Sequence, residues 1–339
     1  MNSNNLNHTV IFELMTKIKL SLDILNNKID NSQCNQFRIV KPILKWLGGK
    51  TQIIDIILNK TPIEINNYHE MFVGGGSILL GNLTLLKHKK ISISGKIFAY
   101  DINQGLINMY KQIQTNKDEL YDLIQLYITQ YDKCPVKTDI NRNPLTLEDA
   151  LKSKENYYYW MRNKFNNILK NTIEHAALFI VINKTTFRGM YREGPKGFNV
   201  PYGNYKTTPI MISKEDLNIL SLLIKDVIFI CCDFEESFKN IKDGDYLYLD
   251  PPYAPETSKS FVGYNENGFD INKHNILFDL IKKNGTQKNI KFCMSNANVK
   301  LVSDNFSDSI YKNIVITCKR SINSKKPQSK TEELIITNY

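Results

Sequence analysis

The chain of 339 residues lacks the marks of several functional classes. Its six cysteines (Cys34, Cys134, Cys231, Cys232, Cys293 and Cys318) form no C-x-x-C pair. Cys231, Cys232 and Cys293 sit inside apolar runs, which predicts buried thiols in a reducing, intracellular compartment and excludes a disulfide frame or a zinc site. The five histidines (His8, His69, His88, His175 and His274) are scattered and contain no H-E-x-x-H, so no metal centre is expected. The longest apolar stretch, Ala176 to Ile182, is far too short to span a bilayer. Met1 to Asn5 lacks the basic start and apolar core of a signal peptide. No membrane partner is expected.

What is present points elsewhere. Hydrophobic residues make up 42% of the chain, enough for a sizeable core in one large domain or two ordinary ones. Lys and Arg number 44 against 34 Asp and Glu, a formal charge of +10. Such a balance favours a polyanionic partner, nucleic acid before an anionic membrane. There is no internal repeat.

Residues 1–10 read as disordered. Phe12, Met15, Ile18, Leu22, Leu25 and Ile29 then recur with helical spacing, so residues 1–38 form an extension with one amphipathic helix. Strands are expected at Tyr68–Val73 and Lys96–Asp101, with a helix at Ser77–Lys87 between them, a unit that implies a parallel sheet. Helical signal follows, with candidates at Asp118–Tyr131 and Asn156–Leu169. The second carries Tyr157 to Trp160 beside Arg162 and Lys164. A basic, aromatic, loop-rich segment runs from Lys184 to Lys206. Strands return at Val227–Phe234, Asp245–Leu249, Ile290–Ser295, Asn313–Cys318 and Glu333–Tyr339. Ser321 to Lys330, rich in Ser and Lys, reads as a loop before the last strand. The pattern predicts an α/β domain split by a mainly helical, basic insertion.

Phe72-Val73-Gly74-Gly75-Gly76-Ser77 follows a strand and opens a helix. Glycines there permit a sharp turn and close approach of a ligand, and the helix start offers N–H groups to an anion. Asp101 ends the next strand, where nucleotide-binding sheets place an acid on ribose hydroxyls. The dinucleotide pattern G-x-G-x-x-G is absent, because Leu79 stands at its third glycine. Gly49-Lys50-Thr51 mimics a P-loop, but Leu44 replaces the first required glycine and no strand plainly precedes it. A ligand combining adenosine with an amino acid fits better, with Asp101 on the ribose and Lys50 and the glycine loop facing the carboxylate.

Asp250-Pro251-Pro252-Tyr253 follows the apolar run Tyr246 to Leu249. An acid and a backbone carbonyl held by two prolines can accept both hydrogens of a planar amine, and an aromatic can stack on its ring. Alone, the tetrapeptide is equally a turn opener.

Three motifs in this order, Leu44 to Lys50, Phe72 to Ser77 and Asp250 to Tyr253, resemble those of the Dam-like, or D12-class, DNA adenine-N6 methyltransferases. The likeness runs from about Lys41 to Tyr339 and includes Phe198-Asn199-Val200-Pro201-Tyr202-Gly203 and Lys319-Arg320-Ser321-Ile322. It implies a Rossmann-like sheet in residues 39–105 and 215–339, with a target-recognition insertion at 106–214. It implies S-adenosyl-L-methionine as donor and double-stranded DNA as substrate, with the adenine flipped onto Tyr253. The cofactor pocket would draw on Trp46, Lys50, Phe72, Gly74, Gly76, Ser77, Asp101 and Asp250. Catalysis would use Asp250, Pro251, Pro252 and Tyr253. DNA contacts are expected from Arg188, Tyr191, Arg192, Lys196, Asn199 and Arg320, with Glu193 facing a cytosine amine or Arg192. The likeness is compatible with a monomer or weak dimer, with or without a cognate restriction endonuclease. The Asn-Gly turn of GATC-reading members is missing before Phe198, so another short palindrome such as CATG is an alternative. Rival readings are RNA adenine or cytosine-N4 methylation, and a silent DNA-binding module.

Overall fold

The computed structural model describes residues 38–136, 140–205, 207–255, 269–319 and 330–339. The expected disordered start, the helix at Ile11–Ile29, Cys34, Arg320 and nearly all of the Ser321–Lys330 patch lie outside the described residues. One compact unit runs from Val40 to Tyr339.

Its centre is a seven-stranded sheet: β1 (Tyr68–Glu70), β2 (Ile97–Asp101), β3 (Val227–Cys231), β4 (Tyr246–Leu249), β5 (Lys291–Ala297), β6 (Lys312–Lys319) and β7 (Lys330–Thr337). The spatial order is 3-2-1-4-5-7-6. Strands β3, β2, β1, β4 and β5 are parallel to their neighbours, whereas β7 is antiparallel to both β5 and β6. The central strands β1 and β4 are buried at every position, as parallel strands covered on both faces must be. This is the Rossmann-like methyltransferase sheet that the resemblance implies. The order reverses between β1 and β4, so a ligand crevice opens at their carboxyl ends.

Helix α1 (Ser77–Lys87) coincides with its expected span. Between β2 and β3 lie α2 (Gln104–Thr115), α3 (Lys117–Lys133), α4 (Lys154–Asn167), α5 (Ile173–Thr185) and α6 (Lys214–Leu223). Side-chain caps fix four of their starts: Asn103, Ser153, Thr172 and Ser213 accept from Leu106, Asn156, His175 and Asp216 N–H respectively. Tyr157 and Tyr158 of the aromatic run on α4 are fully buried, so they build core. A further helix, α7 (Ile271–Gln287), lies between β4 and β5 in the chain. No helix among the described residues is long and apolar enough to cross a membrane.

Two expectations change. The strand expected at Val227–Phe234 stops at Cys231, because Asp233 caps a short helix at Phe234–Ser237. Cys231 is exposed and Cys232 half-buried, since β3 is an edge strand whose alternate residues face outward; Cys134, Cys293 and Cys318 are buried. Conversely, β1 is formally shorter than expected, yet Met71 N–H still bonds Tyr248 O and Val73 N–H bonds Tyr100 O.

At the amino end of β4, His69 Nε2 lies 2.9 Å from Asp245 Oδ2, both fully buried. Asp245 also accepts from the N–H groups of Asn67 and Lys242. Burial acts to raise its pKa, but the bonds from His69, Lys242 and Asn67 prevail and hold it below the ordinary 3.8. This stabilisation is therefore complete above the ordinary value and lost as pH falls through the lower native one. Asp245→Ala is expected to cost about 3–5 kcal/mol in urea unfolding near neutral pH, and to shrink the acid limb of the stability curve.

Candidate active site

The crevice is built from three segments. The first is the loop joining β1 to α1. Gly74 and Gly76 are left-handed, with φ of 46° and 75°. A Cβ on Gly74 would meet the Trp46 indole at 2.8 Å, and one on Gly76 the Tyr110 hydroxyl at 2.6 Å. Only glycine lets those side chains seat the loop. Tyr110 donates to Gly74 O at 3.0 Å. Asp101, at the end of β2, accepts from Gly74 N–H (3.0 Å) and Asn103 N–H (2.9 Å). Burial raises its pKa against those bonds.

The second segment is Lys45 to Lys50. Trp46 stacks on Tyr191 at 5.4 Å and Phe179 at 6.3 Å. Lys50 is buried, and its Nζ lies 2.6 Å from both Gly48 O and Asp250 Oδ2. Its N–H donates to Ser77 Oγ. Asn183, on α5, accepts from Lys45 N–H and donates to Lys45 O and Gly189 O. It thereby ties this segment to the basic loop, a role no local pattern announces.

The third is Asp250 to Tyr253, leaving β4. Asp250 is one-fifth exposed. Burial pushes its carboxyl up to about 6, although Lys50 pulls the other way. Tyr253 donates to Glu333 Oε2 at 2.7 Å, and Lys50 Nζ stands 5.0 Å from its ring centroid. Ala254 N–H donates to Asn296 Oδ1 at 3.0 Å, and His274 Nε2 lies 3.0 Å from Pro252 O. Below them sits Glu70, which sequence reasoning missed. It is almost fully buried and accepts from Leu79 N–H and the Tyr68 hydroxyl. Burial pushes it up to about 8, so it is neutral at pH 7.

All three segments line one cleft of about 1520 Å³, with Trp46, Lys50, Phe72, Gly74, Ser77, Asp101 and Asp250 to Tyr253 in its wall. Gly76 lies beneath, against Tyr110. Tyr191 also belongs to the wall: it is stacked on Trp46, and its hydroxyl donates to Glu193. The turn at Phe187–Gly189 redirects the chain, with Arg188 itself left-handed at φ 56°. Arg188 is exposed at the cleft rim and sits over the Phe187 ring. Arg192, Lys196 and Asn199 are exposed outside it, and Arg192 Nε donates to Asn199 Oδ1 at 2.7 Å. Glu193 pairs with Lys170 at 3.2 Å rather than with Arg192.

The family profile of the D12 class N6 adenine-specific DNA methyltransferases matches residues 46–322. The type II methyltransferase M.MjaIII of Methanocaldococcus jannaschii is 34% identical over 312 residues, 88% of this chain and 99% of the relative. The DNA adenine methylase of Haemophilus influenzae is 30% identical over 297 residues, 87% of this chain and 92% of the relative. The type II methyltransferase M1.LlaDCHI of Lactococcus lactis subsp. cremoris is 31% identical over 308 residues, 88% and 96%. The profile spans most of the chain and these relatives align along nearly all of their own length, so the chain belongs to the D12 class of N6 adenine-specific DNA methyltransferases.

Proposed function

We propose that the protein methylates N6 of an adenine flipped out of a short duplex DNA site, with S-adenosylmethionine as donor. One observation carries this reading: the glycine loop with Asp101 and the Asp250–Tyr253 turn face a single cleft of about 1520 Å³. That exceeds the roughly 300–1,000 Å³ of a pocket for one small ligand, so a cofactor and an extruded base fit together. Asp101 offers a carboxylate to ribose hydroxyls, and the start of α1 offers N–H groups to the amino-acid carboxylate. When bound, the cofactor supplies an electrophilic methyl group on a sulfonium.

The protein's own part is to make the adenine amine nucleophilic. Its lone pair is delocalised into the ring. Asp250 and the Pro251 carbonyl accept the two amine hydrogens, which biases the nitrogen toward sp3 and aims the lone pair outward. Positive charge developing on nitrogen is offset by Asp250. Tyr253 presents a ring face for stacking, offsetting an extrusion cost of about a few kcal/mol. Lys50 holds Asp250 Oδ2 and keeps the carboxylate charged, and Oδ1 accepts from the amine. Residues 106–214 serve as the target-recognition insertion, and exposed Arg188, Arg192, Lys196 and Asn199 supply phosphate and base contacts. Relatives named as type II methyltransferases favour a companion restriction endonuclease.

Asp250→Ala should lower methyl transfer by about 10³-fold or more, far beyond any loss of cofactor or DNA affinity, assayed by labelled methyl incorporation and titration. Wild-type turnover in that variant would remove Asp250 from the mechanism. The ionised carboxylate is the active form, so kcat/KM should fall below a pH of about 6. Lys50 lowers the Asp250 pKa. A Lys50→Met enzyme should therefore show this limb at higher pH, and an unmoved limb contradicts the assignment. Lys196→Ala should weaken binding or relax site choice, read from methylation across sequence contexts.

A further inference from the structure

The turn from Asp250 to Tyr253 poses a mechanical problem. Pro251 and Pro252 contribute no N–H. Neighbouring elements therefore cannot hold these two residues by accepting main-chain donors; they must grip a carbonyl or what flanks the pair. Two flanking grips are visible: Ala254 N–H on Asn296 Oδ1, and the Tyr253 hydroxyl on Glu333. Among the described residues, the side chain that meets a prolyl carbonyl of the turn is His274, whose Nε2 lies 3.0 Å from Pro252 O.

The other ring nitrogen of His274, Nδ1, lies 2.9 Å from Asp270 O. Both neighbours are carbonyls and only accept, so a neutral ring satisfies one of them. Asp270 O already takes the main-chain N–H of His274 at 3.1 Å. Pro252 O has no other donor among the described residues. The tautomer with its proton on Nε2 leaves least unsatisfied, and that proton goes to Pro252 O. Burial holds the His274 pKa below the ordinary value, so the neutral ring is the relevant form. The ring is fully buried, edge-on to Phe269 at 4.7 Å and Phe278 at 5.8 Å. It has no room to swing away.

We infer that His274 is a positioning residue for methyl transfer: its Nε2–H fixes the peptide plane between Pro252 and Tyr253. That plane sets the Tyr253 ring and, one residue back, the Pro251 carbonyl. The inference rests on the methyl-transfer reading above. His274 does not touch the base. It transmits the rigidity of α7, capped by Asp270 on Lys273 N–H, to a turn that cannot anchor itself.

The test compares His274→Leu, which fills the space without a donor, with His274→Gln, which keeps an N–H donor. Single-turnover methylation, cofactor KM, DNA affinity and the thermal midpoint are measured on the full chain. His274→Leu should slow methyl transfer by about 10- to 100-fold, the scale of a misplaced reacting group, with cofactor KM and DNA affinity unchanged. His274→Gln should recover most of the rate. If the leucine variant does not fold, His274→Met takes its place. A donor-free variant at the wild-type rate overturns the inference, as does parallel loss of rate and midpoint in both variants. A wild-type chain that binds cofactor and DNA but forms no N6-methyladenine instead overturns the methyl-transfer reading, and His274's role with it.

Discussion

The 2.6 Å contact between Lys50 and Asp250 joins residues 200 apart in the chain, and the architecture of the site depends on it. It brings the segment before the sheet onto the end of β4. The same lysine reaches back through its N–H to Ser77, the first residue of α1. One side chain thus connects the glycine loop, the Lys45–Lys50 segment and the Asp250 turn. A buried ammonium facing a carboxylate is costly to desolvate and strongly favourable once paired, so loss of either partner leaves an uncompensated charge. The pair fixes geometry more than it adds stability, and it keeps Asp250 ionised in a site where burial works to protonate it.

Two carboxyls in the same crevice are driven to different states. Asp250 titrates at about 6 and Glu70 at about 8, each raised mainly by burial. Between those values Asp250 carries charge and Glu70 does not. Their separation follows from surroundings: Asp250 has Lys50, whereas Glu70 has the Tyr68 hydroxyl and the Leu79 N–H. Environments that push two like groups apart in this way let one act as a charged acceptor beside a neutral neighbour. Asp101, the third acid, takes one main-chain N–H on each oxygen, from Gly74 and Asn103; it so holds the loop it borders and keeps acceptor capacity on both oxygens.

Much of this frame was legible in the amino-acid order. The helix Ser77–Lys87 and the strands ending at Asp101 and Leu249 follow from periodicity and turn chemistry, which are local, whereas the gathering of the three motifs around one crevice was implied by the family resemblance. What escaped was set by contacts between distant residues. Asn183, Asn296, His274 and Glu333 are ordinary polar residues in ordinary contexts, and their partners lie at Lys45, Ala254, Pro252 and Tyr253. The stacking of Tyr191 on Trp46, beyond the left-handed turn at Arg188, is likewise a contact between distant residues. Cys231 looked buried because apolar runs read as interior, whereas an edge strand exposes alternate positions. Glu70 carried a usable hint, an acid inside the strand expected at Tyr68–Val73, which is buried where it lies in the sheet.

The most direct test of the account is nucleoside mass spectrometry of unmethylated plasmid DNA after incubation with the purified protein and S-adenosylmethionine, with the modified positions mapped. The account predicts N6-methyladenine confined to one short motif. Methylated cytosine, or unmodified DNA from a protein that binds both cofactor and duplex, would contradict it.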